Sequence, residues 1–479
     1  MRRSSAGLAR RGLCCALLAA CLSGGCSLYP VREPVRPAVA GGEAFSLSVD
    51  GVEREHRWWR ALGDERLIET IEAALSENLD VQQARLRIEQ SAALARRAGS
   101  RLPPALDFGA GAEREWPDKG VDHNDRLTGE LRLSWEVDLW GRLSSAREAA
   151  RQETVAARED LQATALLLSA AVAEAYFGII EQRLQLALLD EQIEVGQTLL
   201  GLIELRFGQG QASVVDVYQQ RQQLASTRSQ FPLIRSRLGV LENRLKVLLA
   251  RAPTEGGPLV GTDLPVLPDL PDIGVPSDLL ANRPDLRRIR HELTAADHRV
   301  AEAVADRLPR LQIGLHRSYR GTEFDRLTAD GLATSLMADL AAPLIDWGDR
   351  KAEVDRRRAV AAELLLSLSQ AYLTAVEEVE NALWLERRQR ELIDALRKEL
   401  RIARSNLKET RTRYGQGLTD YLPVLAAVQS LQALERSLLT RRRELVSIRV
   451  LLYRALGGAQ PWVPPTRPQS QPARSVRRP

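Results

Sequence analysis

Beyond residue 26 the chain has no cysteine. All four (Cys14, Cys15, Cys21, Cys26) sit at its start, so no internal disulfide can hold the body of the protein and cysteine must serve another purpose. Histidine is nearly as scarce, at five residues. His291-Glu292 opens like a zinc-protease motif, but the position for the second ligand is Ala295. His56, His123, His298 and His316 stand alone in the sequence and are expected to be exposed or lumenal. Gly208-Gln209-Gly210 lacks a third glycine and follows a helical pattern, so it is no dinucleotide fingerprint, and no Gly-Lys-Ser/Thr phosphate loop occurs. These absences leave no catalytic residue, no metal site and no cofactor to expect. A formal charge of +4 would suggest an acidic partner, but it misleads. Arg2, Arg3, Arg10 and Arg11 at one end and Arg467, Arg474, Arg477 and Arg478 at the other supply +8, so the chain between nets −4. With no basic stripe among its few aromatics, nucleic acid is not an expected partner.

What the start does have is a pattern. Four arginines without an acid, an apolar stretch from Leu13 to Leu22 and then small residues form a secretory signal over residues 1–25, too short to span a bilayer. Leu22-Ser23-Gly24-Gly25-Cys26 resembles a lipobox, whose cysteine is acylated and becomes the new N-terminus. Leu18-Ala19-Ala20-Cys21 fits that consensus locally but leaves only about eight apolar residues after Arg11. Cys26 is therefore the preferred lipidation site and Cys21 the runner-up. An acyl anchor supplies ~0.8 kcal/mol per buried CH₂, enough to tether and not to span. The Pro- and Arg-rich tail, 459–479, is expected to be disordered.

Proline is missing from 118 to 231 and from 344 to 422. Within these gaps, 142–206 and 349–412 are dense in Ala, Leu, Glu, Gln and Arg, which predicts two helices of about 65 residues, roughly 95–100 Å each. Apolar residues at three- and four-residue spacing (Leu161, Leu168, Val172, Ala175, Ile179; Leu364, Leu368, Tyr372, Val376, Val379, Leu383) give each helix a packing seam. Both end in one element: Arg206-Phe207-Gly208-Gln209-Gly210 recurs 207 residues later as Arg413-Tyr414-Gly415-Gln416-Gly417. Trp140-Gly141 precedes Trp347-Gly348 by the same 207, and Arg101-Leu102-Pro103 loosely matches Arg307-Leu308-Pro309. The chain thus reads as a tandem duplication, 64–251 and 277–458, joined by a Pro-rich linker at 252–276 and preceded by a segment at 26–63. Each repeat begins with a helix. The paired glycines are expected to take positive φ and reverse the chain. Return helices are predicted over 213–250, opened by a capping box at Ser213–Asp216, and over 420–456, with Pro423 in the first turn.

Ahead of each long helix the period changes from helical to two. From Leu127 to Leu139 odd positions are apolar or Gly while even positions are polar, Glu130, Arg132 and Glu136 among them. This predicts a strand over 127–138 with one wet and one dry face, and similar alternation marks 105–115, 311–319 and 332–342. About ten residues is the length a tilted strand needs to cross a bilayer. Four such strands leave two edges whose backbone groups lipid cannot satisfy, and single-chain barrels begin at eight strands. Closure is therefore expected by oligomerisation: two copies would give eight strands filled by side chains, three would give twelve with room for water.

Read together, these residues resemble the TolC-like outer-membrane efflux factors, in the lipoprotein branch labelled NodT or OprM. The resemblance runs from about residue 26 to 462, carried by Gly25-Cys26-Ser27-Leu28, Trp58-Trp59-Arg60, Ala74-Leu75 to Asp80, Asp138-Leu139-Trp140-Gly141-Arg142 and Ala175-Tyr176-Phe177. It continues through Asn282-Arg283-Pro284-Asp285-Leu286, Ile345-Asp346-Trp347-Gly348 and Leu452-Tyr453-Arg454-Ala455-Leu456-Gly457-Gly458. It implies a mainly α protein with a small transmembrane β part: a homotrimer whose twelve-stranded outer-membrane barrel continues as an α-helical barrel in the periplasm. A belt would be formed by the N-terminal segment, the linker and the C-terminal region. It implies an exit duct for small molecules such as drugs or toxic compounds, with Glu130, Arg132 and Glu136 facing the lumen. The implied partners are outer-membrane lipids, a periplasmic adaptor (membrane fusion protein) and an inner-membrane RND-type pump. The adaptor would dock at the hairpin tips, here Arg206, Gly208, Gly210, Arg413, Gly415 and Gly417, and the closed pore would narrow there. One position departs from the pattern. Where family members often carry an acid one turn after the leucine matching Leu422, this chain has Ala426, so the periplasmic gate is expected to rely on Leu422 with Asp420. Two other readings stay open on sequence alone, a protein-export channel of a type I secretion system and a periplasmic coiled-coil scaffold without a pore.

Overall fold

The computed structural model describes residues 29–32, 35–40, 42–47, 51, 57–116, 124–257, 260–321 and 331–458. The signal peptide, Cys21 and Cys26, His56, His123 and the tail at 459–479 lie outside the described residues.

The two repeats build matching elements. After α1 (Glu65–Glu77) and α2 (Leu79–Gly99), the first repeat forms strands β1 (Ala105–Glu115) and β2 (Asn124–Val137), long helix α3 (Arg142–Gly208) and return helix α4 (Val214–Leu248). The second forms α5 (Pro284–Ala305), β3 (Arg310–Gly321), β4 (Leu332–Ala341), long helix α6 (Asp349–Gly415) and return helix α7 (Tyr421–Ala455). Both long helices have 67 residues and both return helices 35, so the duplication is kept in length where it is lost in sequence. Strand β2 begins three residues before the alternation made it visible, because Asn124 to Arg126 pair with Glu115 to Glu113 although their own pattern is polar throughout.

Helix ends are where local chemistry is most explicit. Asp64 caps α1 by accepting from Leu67 N–H at 3.1 Å. The carboxylate of Asp138 accepts from Leu143 and Ser144 N–H at 2.9 and 2.8 Å, meeting two of the first orphan donors of α3. Ser213 and Asp216 form the expected capping box of α4: Ser213 N–H donates to the Asp216 carboxylate and Ser213 Oγ accepts from Val215 N–H, each at 3.1 Å. Asp420 precedes α7 without such a bond.

By contacts the described chain falls into two compact units, each mixing both repeats. The first takes its residues from Met1–Val39, Leu86–Glu159 and Arg288–Gln370 and contains the one sheet found among the described residues. There, β1 to β4 are antiparallel in sequence order. Within the same unit Arg32 lies 3.6 Å from the fully buried Asp297, and Ala38 N–H donates to Ser369 Oγ at 2.9 Å.

The second unit, Ala40–Arg85, Asp160–Arg287 and Ala371–Pro479, holds both return helices. Trp58, buried, stacks on Tyr453 at 5.6 Å and donates to Ser169 Oγ, while Tyr176 donates to Asp64 and accepts from Gly261 N–H. N-terminal segment, linker and C-terminal end are thereby bound to α3. Each return helix is fastened at its C-terminal end by the buried residue that precedes a repeat's helix. Asn78 donates to Leu248 O at 2.9 Å, and Arg283 to Ala455 O at 3.1 Å. Arg449 is fully buried against Glu386 (2.9 Å) and donates to the linker carbonyls of Pro268 and Asp269 at 3.1 and 3.0 Å.

Candidate functional site: the two-faced sheet and the hairpin tips

Strand register decides which side chains share a face, because residues directly opposite one another in an antiparallel pair point the same way. Asp107 is opposite Arg132, Arg132 opposite His316, and His316 opposite Ser335. One residue along, Leu106, Leu133, Leu315 and Leu336 align instead. All four strands therefore contribute one polar and one apolar face. Met337 stands on the polar side, and the apolar side also carries the Arg114–Asp125 pair and Arg317, which is opposite Leu131 and Thr334. Its long stem lets the charged head leave that face.

The three polar residues singled out on β2 divide into two groups. Glu130 accepts from Arg132 Nη2 at 3.2 Å and lies 3.1 Å from His316 Nε2, a small cluster spread over two strands. His316 is thus not isolated, and it finds its partner through register, which sequence spacing does not display. Glu136 is engaged elsewhere, gripped by Arg142 Nε and Nη2 at 2.8–3.0 Å at the start of α3. It pins strand to helix. Among the described residues strands β1 and β4 each have a single neighbour, so the sheet ends in two unpaired edges.

The repeated pentapeptides form the tips in the second unit. Only the second glycine of each takes positive φ, Gly210 at 72° and Gly417 at 70°, whereas Gly208 and Gly415 stay in the helix as its last residue. The expectation that both glycines of a pair turn the chain is corrected. The reason is the hydrogen-bond pattern: Gln211 N–H donates to Arg206 O (2.8 Å) and Gly210 N–H to Phe207 O (2.9 Å), and Leu418 and Gly417 repeat this on Arg413 and Tyr414. This Schellman arrangement needs one left-handed residue.

The two tips then differ in what they touch. Arg206 does not point away from the protein. Its Nη1 donates to Tyr414 O at 2.7 Å and Gly415 O at 3.2 Å, and its guanidinium lies 4.6 Å above the Tyr414 ring. It caps the C-terminal carbonyls of the other repeat's long helix, where a cation is also favoured by the helix dipole. Tyr414 meets Tyr421 edge-on at 5.7 Å, Tyr421 donates to Gln220 Oε1, and Gln220 Nε2 donates to Gly196 O at 2.7 Å. Burial pushes the phenols of both Tyr414 and Tyr421 above the ordinary tyrosine value, with Asp216 adding to it. Leu199, Ile203, Val217, Leu407, Val424 and Val428 belong to the same cluster. Arg413, by contrast, is exposed and among the described residues pairs only with Glu409, at 2.9 Å. Leu422 and Leu418 are 61% and 72% exposed, and Asp420, Ala426 and Gln429 are exposed beside them. Leu422, Ala426 and Gln429 lie on one face of α7 by their four- and three-residue spacing. Sequence reasoning missed the role of Gln220 and the inward reach of Arg206. The one available signal was the change from Phe207 to Tyr414 and from Val214 to Tyr421 between the copies.

A family model described as outer membrane efflux protein matches residues 70–251 and 275–458. The chain is 30% identical over 464 residues to the pyoverdine export outer membrane protein OpmQ of Pseudomonas putida, covering 92% of this chain and 97% of that one. It is 30% identical over 458 residues to the toluene efflux pump outer membrane protein TtgF of P. putida, covering 91% and 94%. Among solved structures, the channel CusC superimposes with a TM-score of 0.82 at 26% identity, over 90% of this chain and 99% of that one.

Proposed function

The chain belongs to the outer membrane efflux protein family and is an outer-membrane exit duct of a tripartite efflux system; from that premise we propose which parts of it do which work. Its cargo is small molecules, delivered by an inner-membrane RND-type pump through a periplasmic adaptor. The names of its relatives support an unselective duct, since they span pyoverdine, toluene and, in CusC, cation efflux. Cys26, or failing that Cys21, carries the lipid anchor. The observation that bears most on the duct is the sheet itself. It has one face of Asp107, Arg132, His316 and Ser335 against one of Leu106, Leu133, Leu315 and Leu336, and it is open at both edges. Such a sheet suits a bilayer only when other copies close it around a wet interior.

The periplasmic gate lies at the second tip. Arg206 and the tyrosine cluster hold that tip, while exposed Leu422 and Asp420 form the constriction with their copies in the trimer. Arg413, which has only an exposed neighbour, is the better adaptor contact of the two arginines. Single-channel conductance in planar bilayers tests the assignment. Leu422→Ser should raise conductance severalfold and Ala426→Ser should leave it near wild type; equal effects would refute a gate at Leu422. Restoration of dye efflux in a strain lacking its own exit duct tests the cargo class, and restoration of protein secretion alone would replace it with protein export.

A further inference from the structure

The duplication supplies an internal template for an interface that a single chain leaves unfilled. In the first repeat β2 runs to Val137, and its last residues, Trp135 to Val137, pair with Ile313 to Leu311 of β3 after β1 has ended at Ala105. Trp140 then donates its indole N–H to Pro309 O at 2.7 Å, immediately before β3 begins. In the second repeat β4 stops at Ala341, where its sole neighbour β3 ends at Arg310. The large apolar residues that follow are left bare: Leu344 is 91% exposed, Ile345 78% and Trp347 97%. Trp347 also sits at a φ of 52°, a left-handed conformation that is strained for a bulky residue. The second copy carries the fittings of the first and lacks the strand that would use them.

Superposing the repeats fixes what that strand must be. Trp140 maps to Trp347 at 207 residues, so Ser134, opposite Ala105, maps to Ala341, opposite Arg310; β3 therefore maps onto β1 at 205 residues. Transposing the β2–β3 register by these offsets pairs β4 with the β1 of a second copy. Leu344 falls opposite Leu106, Ala342 opposite Phe108, Leu340 opposite Ala110 and Ala338 opposite Ala112. Apolar residues meet apolar ones on that face. We propose that neighbouring protomers join in this register, that β4 continues to Leu344 on the neighbour's β1, and that Trp347 anchors on the carbonyl of the neighbour's Pro104 as Trp140 does on Pro309. This rests on the duct reading above and adds residue-level pairing to it.

Disulfide trapping in the full-length protein in outer membranes tests the register. Opposed residues have Cα atoms about 4.5–5.5 Å apart, within disulfide reach, whereas a slip of two residues moves them by a further ~6.6 Å along the strand, beyond it. The double variant Ala112→Cys/Ala338→Cys should yield covalent dimers and trimers on non-reducing gels, at least fivefold more than Ala110→Cys/Ala338→Cys or Arg114→Cys/Ala338→Cys. Single-cysteine variants report any contribution from the native N-terminal cysteines. A trimer that conducts but links best through a shifted pair overturns the register and leaves the duct standing; absence of both conductance and any trimer overturns both. Trp347→Phe keeps the ring and removes the donor, so it should lower the temperature at which the trimer dissociates in detergent. An unchanged dissociation temperature would overturn the anchor.

Discussion

The two tips began as copies and now do opposite things. At the first, Phe207 and Val214 are each 46% exposed; at the second, their counterparts Tyr414 and Tyr421 are 4% and 0% exposed. Arg206 reaches from the first tip into the second, while Arg413, its counterpart, reaches no further than Glu409. One tip is an arm and the other a socket. A duplicated turn keeps its backbone because the left-handed glycine and its two hydrogen bonds are local requirements. Its side chains are free to diverge once one copy can lean on the other.

That comparison can be broken most easily at the socket. Tyr421→Ala should cost the second tip about 3–5 kcal/mol, whereas Val214→Ala at the equivalent position should stay within about 0.5 kcal/mol. Hydrogen exchange of the first two turns of α7 and α4 reads the two separately, and equal losses of protection would abolish the distinction. Removing the arm comes next. Arg206→Ala uncovers the Tyr414 and Gly415 carbonyls and should cost about 1.5–3 kcal/mol, against about 0–1 kcal/mol for Arg413→Ala. Limited proteolysis between 415 and 418 should accelerate only in the former.

Alkali should separate the tips further. Because burial raises the Tyr414 and Tyr421 phenols, their contribution is complete below about pH 10, the unfolded tyrosine value, and is lost as pH rises through the higher folded values. The first tip has Phe207 and Val214 at these positions and no such loss is expected there. Tyrosinate absorbance should show the late-ionising phenols, reduced in Tyr421→Phe; titration at the ordinary value would contradict their burial. The smallest effect concerns what the tips still share. Gly210→Ala should destabilise by about 1–2 kcal/mol through its positive φ alone, since a Cβ there meets nothing within 4 Å. Gly208→Ala, in helix, should stabilise by about 0.5 kcal/mol, and opposite signs in the same exchange measurement would reverse the assignment of the turning residue.

Much of the architecture was legible because it is written locally. Period two over 127–138, the proline-free stretches and the Ser213–Asp216 box each depend on residues a few positions apart. What could not be read depends on partners far along the chain. Arg206 in a last turn signals that it can cap carbonyls, and nothing nearby says that they belong to residues 208 and 209 positions away. Likewise the lumenal reading of Glu130 and Glu136 rested on alternation and the family resemblance. Register separates them, giving one a histidine from another strand and the other an arginine from the following helix.

The buried Arg449 has a consequence in time as well as in space. Its guanidinium can leave water only when Glu386 and the carbonyls of Pro268 and Asp269 are already in place, because a buried charge without partners costs several kcal/mol. Arg449 lies near the end of the second repeat, so a chain exported N-terminus first delivers it after almost everything else. The linker's fastening at Pro268 and Asp269 therefore forms only near the end of synthesis, after the one at Gly261. Completion of the last helix is the event that closes the protomer and makes it ready to meet its neighbours.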